Sequence, residues 1–235
     1  MTTYKAVLMG LEDNNPSVWF RLPPGFHSLE SVTPESLTRA VTTVVLPLLE
    51  QEPTANRVVQ EACVLTELID ELAEKGSAYL AFGLHPDGSH GASMSLFSLS
   101  MISTVAPSPY VAAARAGITL ADSAAWQTRS CRLLDLPTGV PGAMVAGILT
   151  PPMLQAQRAK VSPSTTEVFQ ARIAVPHPRG SYVLIADLVS AATRHADSYT
   201  DILEGIAHTF SFSHPDRSSE SASKTPTSRI LELLT

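Results

Sequence analysis

Three side chains of the kind that bind metal ions lie close together in one short stretch. The segment AFGLHPDGSHGAS, residues 81–93, places His85, Asp87 and His90 within six positions. Imidazole nitrogens and carboxylate oxygens bind zinc and related metals when they converge on one point. A metal held there could activate water, so the stretch supports the hypothesis of a small metal-dependent hydrolase.

The same stretch also has the composition of a tight turn. Pro86 and the pair Asp87–Gly88 separate two strand-like runs, SAYLAFGL and SMSLFSLSMIST. Asp-Gly between two such runs is a strong local signal for a β-hairpin. The proline and the turn would splay the two histidines apart, and no fourth ligand accompanies them. We therefore predict a surface hairpin without a bound metal, and the hydrolase is the alternative.

The other reactive side chains lie in patterns typical of structural roles. The chain contains no G-x-S-x-G, P-loop, G-x-G-x-x-G or H-E-x-x-H motif. His177 falls in a turn-like PHPRG, and His195 and His208 flank the last predicted helix, so we interpret all three as surface residues. Cys63 and Cys131 lie in apolar helical and strand-like contexts; we predict buried thiols, with a disulfide as the minor alternative. The protein is therefore predicted not to be an enzyme and to need no cofactor.

Composition and charge exclude several classes of partner. The 235 residues are 44% hydrophobic and 16% charged, which suits one large domain with a sizeable core. The net charge is -6 without a run of like charges, which argues against nucleic acid and against an anionic membrane surface. The N-terminus lacks the pattern of a signal peptide, and no apolar run could span a membrane. We predict a cytoplasmic protein.

Hydrophobic periodicity predicts helices at both ends of a series of strands. Helical spacing covers residues 33–52 and 55–76, strand-like runs follow, and an Ala-rich helix ending at Gly117 interrupts them. The last helix has an inward stripe made of Ala196, Tyr199, Ile202, Leu203 and Ile206. Runs of strands beside segregated helices indicate an α+β fold, an antiparallel β-sheet flanked by helices.

The chain divides into three parts by composition. An N-terminal segment covers residues 1–15, a single α+β domain covers 16–213, and a Ser/Thr/Pro-rich tail covers 214–235. Two places could bury apolar anchors against a protein partner. One is Trp126, which lies in a polar connection, and the other is the apolar end of the tail: Ile230, Leu231, Leu233 and Leu234.

Four segments together resemble a known family. They are WFRLPPGF, GSAYLAFGLH, LDLPTGVPGAM and SYVLIADLVSAATRHADSYTDILEGIAHTFSF, and they extend over residues 18–212. In this order they resemble small actinobacterial proteins of the Mog1p/PsbP-like (LpqN-like) fold. The resemblance implies an α-β-α sandwich and a non-catalytic binding or assembly role, and it transfers no catalytic residue. The expected partner is a protein, in a secretion-linked or immunity-type setting.

Overall fold

The structure is a computed structural model that describes part of the chain. The described residues are 5–8, 17–29, 77–86, 92–122, 126–150, 167–179 and 181–213. The two helices predicted before residue 77, together with Cys63, lie outside them. The tail after residue 213, with its four apolar anchors, also lies outside them.

The described residues contain nine strands, which form two antiparallel sheets. The strands are β1 (Lys5–Leu8), β2 (Ser17–Phe20), β3 (Phe26–Ser28), β4 (Tyr79–Pro86), β5 (Ala92–Ser103), β6 (Trp126–Asp135), β7 (Pro141–Leu149), β8 (Val168–Pro176) and β9 (Tyr182–Ser190). Strands β1 and β2 pair with each other, and the other seven form one sheet in the order β3-β4-β5-β9-β8-β7-β6. Every neighbouring pair in that sheet is antiparallel.

Two helices are described, and one of them carries the chain across the sheet. Helix α1 (Pro109–Asp122) connects β5, in the middle of the sheet, with β6 at its far edge. The chain then returns through β7 and β8 to β9, which pairs with β5. Helix α2 (Ala196–Ala207) follows β9 after one 3-10 turn. The α+β class with a mainly antiparallel sheet is therefore confirmed.

The two helices pack on opposite faces of the sheet. Successive side chains of a strand point to opposite faces. Ala174 and Ile185 belong to the apolar cluster that contains α1 residues, whereas Ile173 and Ala186 belong to the cluster around α2. We call these two sides of the sheet the α1 face and the α2 face.

The apolar stripe predicted for the last helix faces the main core. Tyr199, Leu203 and Ile206 are fully buried, and Ala196 and Ile202 are half-buried against the same cluster. Spacings of three and four residues place these side chains on one side of a helix. The stripe therefore holds α2 against the sheet, as predicted.

The Ala-rich helix is longer than predicted, because Gly117 does not end it. Helix α1 continues to Asp122, and Gly117 is buried in its interior. A Cβ atom at this position would lie 2.9 Å from the Cβ of Ala143 on β7. The glycine therefore allows the helix to approach the sheet closely instead of terminating it.

Strand β2 is joined to the C-terminal end of the domain. Val18 and Phe20 are buried in the main core. Trp19 and Ser211 exchange two backbone hydrogen bonds, of 2.8 and 2.9 Å, and form a single bridge between β2 and the segment after α2. Strand β1, which lies within residues 1–15, pairs with β2.

Candidate functional site

The predicted hairpin forms, but His85 lies in a strand instead of the turn. Strands β4 and β5 pair from Tyr79 to Pro86, and the Cα of His85 lies opposite that of Ser93. Asp87 and His90 lie outside the described residues. Within the described part of the chain, no three His, Cys, Asp or Glu side chains are grouped so that they could hold a metal.

His85 forms a serine–histidine pair with a residue of the next strand. Its Nε2 lies 2.8 Å from Oγ of Ser95, which is the distance that a nucleophile and its general base require. Ser95 is completely buried, however. A single Cβ added at Gly83 would lie 2.5 Å from Oγ of Ser95 and 2.6 Å from Nε2 of His85. The serine is therefore closed off by its described neighbours, and we interpret the pair as structural.

Tyr199 of α2 completes this polar group. Its hydroxyl donates a hydrogen bond of 2.8 Å to Oγ of Ser93, and its ring meets that of His85 edge-on with centroids 5.4 Å apart. Ser190 of β9 donates a hydrogen bond of 2.6 Å to the carbonyl of Met94. Buried hydroxyls need such partners, and these bonds fix the beginning of α2 on the sheet.

The surroundings of His85 lower the pKa of its imidazole. Burial is the larger cause, because it disfavours the charged form, and the nearby His195 is the smaller one. His85 is therefore neutral near pH 7 and can both donate and accept a hydrogen bond.

A buried carboxylate lies on the opposite, α1 face of the sheet. Asp187 of β9 is 5% exposed and lies directly opposite Arg172 of β8. Nε of Arg172 donates to its Oδ2 at 2.9 Å, and the amide of Gln170 donates to Oδ1 and Oδ2 at 3.0 and 2.8 Å. Three donated hydrogen bonds and a positive charge compensate this carboxylate, which is typical of a structural ion pair.

A cavity of about 310 Å³ lies where two turns meet the segment that follows α2. Its walls are Pro137, Thr138, His177, Pro178, Arg179 and Phe210 to Ser213. The Nδ1 of His177 accepts a hydrogen bond from the backbone N–H of Arg179, and burial, then the charge of Arg179, lowers the pKa of this imidazole. The imidazole therefore stabilises its own turn, and the cavity walls offer few side chains that are available for catalysis.

Strand β6 lies at one edge of the seven-stranded sheet. Among the strands that the structure describes it pairs only with β7, and the seven side chains from Gln127 to Leu133 are all exposed. Leu133 is 68% exposed, which is unusual for an apolar residue in a strand. An unpaired strand edge presents backbone N–H and C=O groups to which another strand can bind.

Two arginines of β6 hold the helices on either side. Arg129 lies 3.4 Å from the carboxylate of Asp122, at the end of α1, and Arg132 forms an ion pair with Glu204 of α2. The alternation of the strand sends the two guanidinium groups to opposite faces. Sequence analysis missed these residues. The signal for them is the polar run QTRSCR, which has no apolar side and is therefore typical of an edge.

Trp126, a predicted partner-binding residue, begins this strand. It is half-buried, and its register is shifted by a β-bulge between Trp126 and Thr128. The indole Nε1 is buried and has no hydrogen-bond partner among the residues that the structure describes. The ring is therefore partly packed against the protein and is not a freely exposed anchor.

Cys131 corrects the prediction of a buried thiol. It is free and exposed in the middle of β6. The prediction of a strand at this position is confirmed, but the side chains on both faces of β6 around Cys131 are exposed, so the thiol is not buried.

Comparison with known proteins adds no identification. Neither a comparison with protein-family models nor one with curated proteins gives a match. Among the described residues, no helix is both long and apolar enough to cross a membrane.

Proposed function

We propose that the chain is a non-catalytic protein-binding module of the accessory or assembly type, and that it binds through the edge of β6. The observation that carries this proposal is the exposure of seven consecutive side chains on a ten-residue edge strand. In strand addition, the backbone of the edge provides affinity and the alternating side chains provide specificity.

The edge has some, but not all, of the features that protect such strands from pairing. Proteins usually shield an edge with charged side chains, especially lysines, or with prolines, bulges or a short strand. Strand β6 has the charged residues Arg129, Arg132 and Asp135, but the two arginines are paired within the chain. Strand β6 contains no lysine or proline, its bulge lies at the Trp126 end, and the stretch from Thr128 to Asp135 pairs regularly with β7. An accessible, regular strand supports a binding role for this edge.

Two groups that could have carried catalysis have structural partners instead. The serine–histidine pair of Ser95 and His85 is closed, and the carboxylate of Asp187 is already compensated. For the hydrolase alternative, Nε2 of His85 is engaged by Ser95, so this imidazole could bind a metal only through Nδ1. We therefore favour binding over metal-dependent hydrolysis.

The proposal includes the Mog1p/PsbP-like fold and a cytoplasmic location. The fold is supported by one helix on each face of an antiparallel sheet, the arrangement that the resemblance implies. The location is supported by the free, exposed thiol of Cys131, which stays reduced in a reducing compartment. A secretion-linked or immunity-type partner belongs to the same proposal.

Site-specific photocrosslinking tests the proposal. A photoreactive amino acid replaces Thr128 on the edge or, as a control, the equally exposed Tyr110 on α1. We expect a discrete adduct from position 128 that disappears when Leu133→Lys places a charge on the edge, and none from position 110. Equal labelling from both positions, or no adduct from position 128, would contradict a binding role for β6.

A further inference from the structure

We propose that the partner of the β6 edge is a second copy of this chain, paired antiparallel across a twofold axis at Cys131. This inference rests on the proposed function and names the partner of the same edge. It would join two seven-stranded sheets into one continuous sheet. Twofold contacts between identical surfaces are the commonest way in which proteins form dimers.

Symmetry restricts the possible registers. A twofold axis perpendicular to the sheet keeps each face of the sheet on the same side in both copies. Residues opposite one another must therefore point to the same face, so one residue of the strand must lie directly opposite the same residue of the second copy. The axis passes midway between these two copies of the residue.

The regular part of β6 selects the residue on the axis. Pairing with β7 is regular from Thr128 to Asp135, because the bulge precedes Thr128. The midpoint of this stretch falls between Cys131 and Arg132. An axis at Arg132 would oppose two guanidinium groups, which is unfavourable for like charges directly across a strand pair. An axis at Cys131 has no such conflict.

The register centred on Cys131 also matches the remaining side chains. Arg129 lies opposite Leu133 of the second copy, so the aliphatic part of the arginine can cover an exposed leucine. Arg132 lies opposite Ser130 of the second copy. An axis moved to Ser130 would shorten the paired stretch that is free of the bulge from residues 128–134 to residues 128–132.

Charge compensation favours a second copy over an acidic peptide. Arg129 and Arg132 already pair with Asp122 and Glu204 within the chain. The edge therefore offers no uncompensated positive charge to an acidic partner, and two copies do not repel each other there. Contact between strand edges alone is small, so we expect a dimer that dissociates on dilution.

Disulfide trapping at Cys131 tests the register. Directly opposite residues of antiparallel strands have Cα atoms about 4.5–5.5 Å apart, which is within the range of a disulfide. In the full chain with Cys63→Ala, mild oxidation should convert most of the protein to a covalent dimer. The matched control, Cys131→Ser with Ser130→Cys, moves the thiol by one equally exposed residue to the other face. There it lies two positions out of register, and we expect at least tenfold slower trapping.

Sedimentation velocity over a concentration series tests the dimer without a covalent bond. We expect a monomer–dimer equilibrium in the wild-type chain that Leu133→Lys shifts to monomer. Equal trapping rates for the two thiol positions, or a dimer that persists in Leu133→Lys, would overturn the inference. A wild-type chain that stays monomeric would also overturn it. In that case an adduct of position 128 with a different protein would still uphold the proposed function, whereas no adduct would refute both.

Discussion

The buried ion pair gives the sharpest prediction about stability. In Asp187→Asn the side chain keeps its shape, but it loses its negative charge and one of its two acceptor oxygens. Arg172 then loses this counter-charge, and the amide of Gln170 loses one of its two acceptors. Removing one partner of a buried pair costs about 3–5 kcal/mol. Because the side chain of Arg172 is 20% exposed and partly hydrated, we expect a loss of about 3 kcal/mol in the free energy of unfolding.

Asp122→Asn is the matched control for this prediction. It makes the same chemical change in the pair with Arg129, whose side chains are 50% and 70% exposed. An exposed pair contributes little, so we expect a loss below about 0.5 kcal/mol. Urea unfolding of both variants at pH 7, with the slope of the transition checked for constancy, measures the two values. Similar losses for the two variants, or a loss below about 1 kcal/mol for Asp187→Asn, would refute the argument from burial.

Three further predictions concern single residues. Trp126→Phe removes a buried indole N–H that has no partner among the described residues, and burying such a group costs about 1–3 kcal/mol. The free energy of unfolding, measured in urea, should therefore be unchanged or increased. A large loss would reveal a partner for that N–H. Gly117→Ala should destabilise the protein although alanine favours helices by about 1 kcal/mol, and Ala143→Gly in the same chain should restore part of the loss if the 2.9 Å contact is the cause. Because the pKa values of His85 and His177 are lowered in the folded state, the unfolded chain takes up protons first as the pH falls. The free energy of unfolding should therefore be highest above pH 6.5 and decrease below it. His85→Gln should reduce this pH dependence in urea titrations between pH 7.5 and 5, and an unchanged slope would contradict the assignment.

The elements that the sequence predicted well are those whose pattern is local. The stripe of α2 and the β4–β5 hairpin follow from spacing and turn residues within a few positions of each other. Gly117 was misread because glycine ends a helix by one mechanism and allows close packing by another. Only the distance to Ala143 separates the two, and that distance depends on residues far apart in the chain.

The candidate site depends on the order of the strands, which periodicity does not contain. The run QTRSCR indicates an exposed strand, but only the crossover through α1 places it at the edge of the sheet. Arg172 lies opposite Asp187 because of the register in which β8 pairs with β9, and this register cannot be read from the sequence pattern either. His85 was assigned to a turn because Pro86 follows it, yet β4 continues through that proline at the end of the strand.

The crossover through α1 has a consequence for the order of folding. The centre of the sheet joins β5 to β9, and the hydrogen bond from Ser190 to Met94 links residues 96 positions apart. Closing so long a segment is entropically costly, whereas the β6–β7 and β8–β9 hairpins need only short loops or local contacts. During synthesis, the edge of the twelve-residue strand β5 that pairs with β9 therefore remains unpaired until β9 has left the ribosome. Over that interval the growing chain would expose the apolar side chains of β5, which alternate with serines, so its folding in the cell should benefit from chaperone protection of this strand.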